Sequence, residues 1–197
     1  PDADKLADEL LAEAPPLVAL RGRRRWIPDL APVTIGSTDS RLKDKGVYAV
    51  IGGFGKLGRI LADHLAETHG ARLALIGRPA PDRTADRTAV LARVTEHGGE
   101  AIALEADISD AGALKNAFDE AEEHFGRLDG VISCAGLTGP EAFAPLTDGS
   151  TAELAETQFI AKVLGAAALE RALADAPLDF CLLFSSMAGR IGGTGLA

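Results

Sequence analysis

From position 46 onward, short apolar runs alternate with segments whose apolar residues recur every three or four positions. Runs at 47–51, 73–76, 101–104, 131–133 and 180–184 read as strands, and 57–69, 84–97, 111–125 and 151–173 read as helices. The first helix carries Leu57, Ile60, Leu61 and Leu65 at helical spacing, and Gly70, Gly98-Gly99 and Gly126 stand where helices end. Strands that are apolar throughout predict a parallel sheet covered on both faces. With right-handed crossovers this becomes a doubly wound α/β sheet, which binds ligands beyond the carboxyl ends of its strands.

Upstream the pattern differs. Residues 2–14 are acidic and helix-prone, with Leu6, Leu10 and Leu11 on one side, and Pro15-Pro16 stops them. A short strand at 17–20 runs into Arg21, Arg23, Arg24, Arg25 and Trp26. This cluster reads either as a phosphate site or as a solvated, partner-facing edge. A polar linker follows at 34–44.

Composition narrows the function. The chain has 197 residues, 47% of them apolar, which suits one domain with a sizeable core plus an appendage. Its 29 acidic residues against 20 basic ones give a net charge of −9, which argues against nucleic acid as a partner. No run approaches the ~18 apolar residues of a membrane span, and no signal peptide opens the chain, so no membrane partner is expected. Cys134 and Cys181 form no disulfide framework or zinc spacing, which points to a reducing, cytoplasmic setting. Both read as small buried apolar residues. His64, His69, His97 and His124 lie on helices or near their C-ends without ligand spacing, so no metal site is expected. Residue 1 is Pro1 and the sole Met is Met187, so the chain reads as a piece of a longer polypeptide.

The chemistry gathers at the strand ends. The first strand runs into Gly52-Gly53-Phe54-Gly55-Lys56-Leu57-Gly58 and directly into a helix. Glycines at every third position allow a tight turn, close backbone approach to a diphosphate and close helix–strand packing. At the end of the second strand, where a free ribose 2′-hydroxyl calls for a carboxylate, stands Gly77-Arg78, with no acid from 71 to 81. Arg78 suits a 2′-phosphate, or is an ordinary surface arginine. Asp107 either accepts from an adenine amino group or is a turn or N-cap residue. Cys134-Ala135-Gly136, after the fourth strand, either lets the backbone lie against a cofactor or is simply a turn. Lys162 sits on an apolar helix face, where it needs a partner or must snorkel. Ser185-Ser186 ends the fifth strand.

Together these motifs resemble the short-chain dehydrogenase/reductases, and within them the ketoreductase domains of modular polyketide synthases. The resemblance runs from about residue 17 to 197. It covers the 51–58 loop, where the family usually has Thr at the Ile51 position, then Arg78, Asp107-Ile108, Cys134-Ala135-Gly136 and Phe184-Ser185-Ser186-Met187-Ala188-Gly189. It implies a Rossmann-like subdomain at 45–197, truncated at its end, preceded at 1–44 by a linker and the remnant of a structural subdomain. Gly52, Gly53, Phe54, Gly55, Lys56, Leu57, Gly58, Arg78, Asp107, Ile108, Cys134, Ala135, Gly136 and Lys162 would bind NADPH.

The same resemblance makes Ser186 the catalytic serine and puts its tyrosine partner at position 199. Lys162 matches the lysine that the polyketide branch carries where other members have Asn. The implied reaction is reduction of a β-keto thioester held on an acyl carrier protein, among neighbouring synthase domains. The tyrosine would protonate the developing alkoxide, and Ser186 would donate a hydrogen bond to the same oxygen. At ~4 Å and an effective dielectric of ~20, Lys162 would lower the tyrosine pKa by about three units. With that tyrosine beyond residue 197, these residues alone are expected to turn over little or not at all. Two stereochemical landmarks are missing: Leu137-Thr138-Gly139-Pro140 stands where one class has Leu-Asp-Asp, and Ile191 where the other has Trp. Gly189, Gly192, Gly193 and Gly195 suggest an end that orders with cofactor or further chain. The competing readings are a cofactor-free scaffold and a cofactor-retaining epimerase.

Overall fold

The computed structural model describes residues 3–12, 17–22, 24–34, 36, 40–136, 156–174 and 176–187. The chain divides into two units, Pro1–Asp39 and Ser40–Ala197. In the first, helix α1 spans Ala3–Leu11 and strands β1 (Ala19–Arg21) and β2 (Arg24–Trp26) pair antiparallel around Gly22, whose φ of 60° suits the turn. The expected short strand is thus half of a hairpin. Arg25 takes Glu9 in a two-pronged ion pair, its Nε at 2.7 Å and its second nitrogen at 2.6 Å from the carboxylate. That engages part of the arginine cluster within its own unit. Arg23 and the Pro15-Pro16 stop lie outside the described residues.

The second unit is a five-stranded parallel sheet in the order β5-β4-β3-β6-β7. Its strands are β3 (Val47–Ile51), β4 (Arg72–Gly77), β5 (Glu100–Glu105), β6 (Gly130–Ser133) and β7 (Phe180–Leu183). The helices are α2 (Lys56–His69), α3 (Thr84–Glu96), α4 (Ala111–Phe125) and α5 (Gly165–Leu173). A 3₁₀ turn (Pro81–Arg83) leads into α3, and a π-helical stretch (Ile160–Leu164) leads into α5. Residues 151–155 of the expected long helix, the landmarks at 137–140 and 191, and the glycine-rich end lie outside the described residues.

Period-two alternation divides the strand residues between two cores. Val47, Ala49 and Ile51 meet Leu114, Phe118 and Phe125 of α4 and Leu169 of α5. Tyr48 and Val50 meet Leu65 of α2 and Val90 and Val94 of α3. Full burial of each such Val, Leu, Ile or Phe side chain contributes about 1.5–3 kcal/mol. Two expectations fail at β7. Cys181, Leu182 and Leu183 are exposed, so this strand is not covered on both faces, and Cys181 is not a buried residue. The reason is position: among the described residues β6 alone flanks β7. The chain steps from β5 across β3 to β6, so the strand order reverses between β3 and β6. The crevice for a ligand opens at that point, at the carboxyl ends.

Candidate cofactor and active site

The turn after β3 is held by backbone hydrogen bonds and by Arg59, whose Nε donates to the Phe54 carbonyl at 2.9 Å. The Gly52 N–H donates to the Ile76 carbonyl at 2.8 Å, and the Gly55 N–H donates to the Gly52 carbonyl at 2.9 Å. Gly52 has φ 78° and lies against β6: a Cβ there would stand 3.1 Å from the Ala135 nitrogen. A Cβ on Gly58 would stand 2.3 Å from the Gly52 carbonyl oxygen, so α2 seats on the turn only with glycine at 58. Gly55 caps α2 without a side chain, and no acid lies in the first turn. The helix therefore begins with free N–H groups and Lys56 beside them, an arrangement that favours an anion by about 0.3–1 kcal/mol through the dipole alone. Gly55, Lys56 and Leu57 are exposed at this edge, and Gly53 is buried beneath it, where a Cβ would stand 3.0 Å from that of Leu75.

Arg78 and Asp107 stand together at the ends of β4 and β5. Arg78 is exposed, and among the described residues its guanidinium has no hydrogen bond or ion pair. Asp107 is half-buried, and its Oδ1 accepts from the Ser109 hydroxyl at 2.7 Å and the Ser109 N–H at 2.9 Å. Those bonds, joined by the Arg78 charge, hold its carboxyl below the ordinary range against the opposing effect of burial. Asp107 thus closes a turn through Oδ1, while the N-cap of α4 is Asp110, which accepts from Gly112 and Ala113. Ile108 packs on Gly165, where a Cβ would meet it at 3.0 Å.

On the other side of the crevice, Lys162 crosses from the π-helical stretch to the sheet. Its Nζ donates to the Phe184 carbonyl at 3.1 Å, so this lysine has a partner as well as solvent. It passes directly over Gly136, where a Cβ would lie 2.9 Å from its Cε and 3.1 Å from its Nζ. Burial pushes the Cys134 thiol up, with the Lys162 charge opposing it, so this half-buried thiol stays protonated at neutral pH. Ser186 is exposed two residues beyond Phe184. The strand ends thus bring Gly52 to Cys134-Ala135, Gly136 to Lys162, and Lys162 to the segment holding Ser186.

Some features carry no sequence signal. The π-helical turn around Lys162 spans Ile160–Leu164, a run whose sequence reads as ordinary helix. Arg87, on the polar face of α3, reads as ordinary surface charge, yet its guanidinium reaches Glu105, the Arg78 carbonyl and the Phe54 ring. Among the histidines, His69 ends α2 beside Asp44 at 3.4 Å, and His124 stands edge-on to Phe125. Among the described residues no three His, Cys, Asp or Glu side chains group as metal ligands, and no helix is long and apolar enough to cross a membrane.

Known proteins are similar to this chain in sequence and fold. The KR domain profile matches residues 46–197. Polyketide synthase PksM of Bacillus subtilis is 32% identical over 192 residues, which is 97% of this chain and 4% of that protein. Polyketide synthase ThaG of Burkholderia thailandensis is 39% identical over 155 residues, 78% of this chain and 3% of its own length. The chain thus spans a small part of these relatives. The crystal structure of a ketoreductase domain from the bacillaene assembly line superposes with a TM-score of 0.71 at 27% identity, covering 91% of this chain and 42% of that one.

Proposed function

Because this chain belongs to the KR domain family, the polyketide synthase branch of the short-chain dehydrogenase/reductases, we propose that it reduces the β-keto group of a carrier-protein-bound acyl thioester with NADPH. The observation that carries the reading is the pairing of an α2 N-terminus without a side-chain cap with an exposed Arg78 at the neighbouring strand end, whose guanidinium makes no hydrogen bond or ion pair among the described residues. A dinucleotide fits this arrangement. Glycine at 52, 53 and 58 lets the turn pack closely on its neighbours and leaves its backbone open to a diphosphate, and Arg78 presents a two-pronged cation to a 2′-phosphate. The free Oδ2 of Asp107 and the apolar Ile108 side chain would face the adenine. When bound, the nicotinamide supplies the hydride.

The chain's own residues bind and orient, and the tyrosine that the resemblance puts at position 199 would give the alkoxide its proton. Gly52, Gly53, Phe54, Gly55, Lys56, Leu57 and Gly58 hold the diphosphate, and Cys134, Ala135 and Gly136 give the nicotinamide half a close backbone floor. Lys162, steadied by the Phe184 carbonyl, holds a positive charge over that floor. Ser186 donates a hydrogen bond to the substrate carbonyl oxygen as charge gathers there. Residues 45–197 form this cofactor-binding part, and 1–44 form a linker with the remnant of a structural subdomain. The relatives' length supports neighbouring synthase domains and an acyl carrier protein as partners.

The test uses the intact polypeptide, NADPH and a β-keto acyl thioester, with nicotinamide absorbance as the readout. The expected result is stoichiometric loss of absorbance. Ser186→Ala should slow turnover by about 10²-fold or more at unchanged NADPH affinity. Binding without consumption would point to an epimerase, and no binding to a scaffold. Either outcome overturns the proposal.

A further inference from the structure

Arg87 lies on α3, a helix that otherwise exposes its charged residues, yet its side chain is only 12% exposed. Its guanidinium faces three different loops. One terminal nitrogen donates to Glu105 Oε1 at 2.7 Å, at the carboxyl end of β5. The other donates to the Arg78 carbonyl, just past β4. The flat of the group lies over the Phe54 ring, 4.8 Å from its centroid, in the glycine turn after β3. The gap between them is closed, because a Cβ on Gly77 would stand 3.0 Å from the Phe54 ring and 3.6 Å from Arg87. One side chain thus ties together the turns after β3, β4 and β5, which wall one half of the crevice.

A guanidinium suits this task and an ammonium does not. It donates in two directions from one rigid plane and stacks on a ring with its face. Glu105 offsets the Arg87 charge, so Arg87 adds little net field to the crevice. What it controls is where the backbone of Arg78 sits, and hence where the free Arg78 guanidinium can reach.

We propose that Arg87 is a positioning residue for cofactor choice: by bracing Phe54, the Arg78 carbonyl and Glu105, it sets the Arg78 guanidinium for a 2′-phosphate. This rests on the reading that Arg78 binds that phosphate. Displacing Arg78 weakens only a ligand that carries the group Arg78 touches. A merely structural residue would weaken phosphorylated and unphosphorylated dinucleotides alike.

The test is a set of dissociation constants for NADPH and NADH, read from the fluorescence of the bound reduced nicotinamide in the full chain. The variants are Arg87→Lys, Arg87→Met, Glu105→Gln and Arg78→Ala, each checked for its melting temperature. Arg87→Lys and Arg87→Met should weaken NADPH about tenfold or more and change NADH by less than about threefold. Their KM for NADPH should rise at unchanged kcat. If both Arg87 variants fail to fold, Glu105→Gln decides alone: a smaller shift in the same direction supports the brace, and no shift overturns it. Equal losses for both cofactors, or none, overturn it as well. Arg78→Ala separates the two ideas. If it abolishes the preference while the Arg87 variants keep it, the brace alone is wrong. If the preference survives Arg78→Ala, or the unaltered chain has none, the 2′-phosphate reading falls and the brace with it.

Discussion

Lys162 and Gly136 fit closely: a Cβ on Gly136 would stand 2.9 Å from the lysine Cε. The lysine reaches the Phe184 carbonyl only because residue 136 has no Cβ. A methyl group there meets the far end of a flexible side chain, which can swing aside. Gly136→Ala should therefore cost little stability, less than about 1 kcal/mol, yet move Nζ off its acceptor. Misplacement on the ångström scale can cost catalysis up to about 10²-fold. The expected result is a kcat reduced tenfold or more with an unchanged melting temperature, read by steady-state kinetics beside thermal denaturation. An unchanged kcat would mean that the position of Lys162 does not matter to turnover.

Among the elements, α2 decides whether the crevice exists. Its N-terminus rests on the glycine turn with the Gly52 carbonyl oxygen and the Gly53 Cα where a Gly58 side chain would go, at 2.3 and 2.6 Å. These are backbone atoms, which cannot swing aside. Gly58→Ala should cost about 1–3 kcal/mol and abolish dinucleotide binding, as denaturant titration and cofactor titration will show. The contrast with Gly136→Ala is instructive: similar clashes have opposite consequences because one neighbour is a side-chain tip and the other is main chain. The π-helical stretch before α5 belongs to this scale too. Its wider turn leaves Lys162 toward Gly136 while Gly165, Ala168, Leu169 and Ala172 face the core.

At the scale of the whole sheet, the amino ends of β3, β6 and β7 are held by a polar cluster remote from the crevice. Asp129 accepts from the Val47 N–H at 2.9 Å, from Lys43 at 2.8 Å and from Arg127 at 2.9 Å. Lys43 also reaches Asp179 at 2.6 Å, and its N–H donates to the buried Tyr48 hydroxyl at 2.7 Å. Burial pushes the Asp129 carboxyl up, but the bonds from Lys43 and Val47 and the charges of Lys43 and Arg127 together hold it below its ordinary value. A carboxyl depressed in the folded state stabilises the fold above its unfolded pKa, and that stability is lost as pH falls through the folded pKa. Lys43 and Arg127 are about half exposed, which screens the pairs. Asp129→Asn should thus cost about 1–2 kcal/mol at neutral pH, and the difference should vanish below the carboxylate range. Urea denaturation across pH 2–7 checks this; a gap that persists in acid would contradict it.

The apolar pattern alone determined the alternation of strand and helix, the parallel sheet and the turns that end each helix, because these follow from local period and from burial on both faces. The run 47–51 reads as an apolar strand, and the glycines at 52, 55 and 58 read as a turn that lets backbone approach closely. Tertiary structure decided what contacts distant in sequence decide. Among the described residues it left Cys181 exposed on β7, because nothing local says which faces of a strand its neighbours cover. It engaged Asp107 with Ser109 and gave Arg87 and Asp129 their partners, residues that read in isolation as surface charge. Strand order carries these outcomes: it brings the ends of β3, β4 and β5 within reach of one guanidinium, and no window along the chain contains all three.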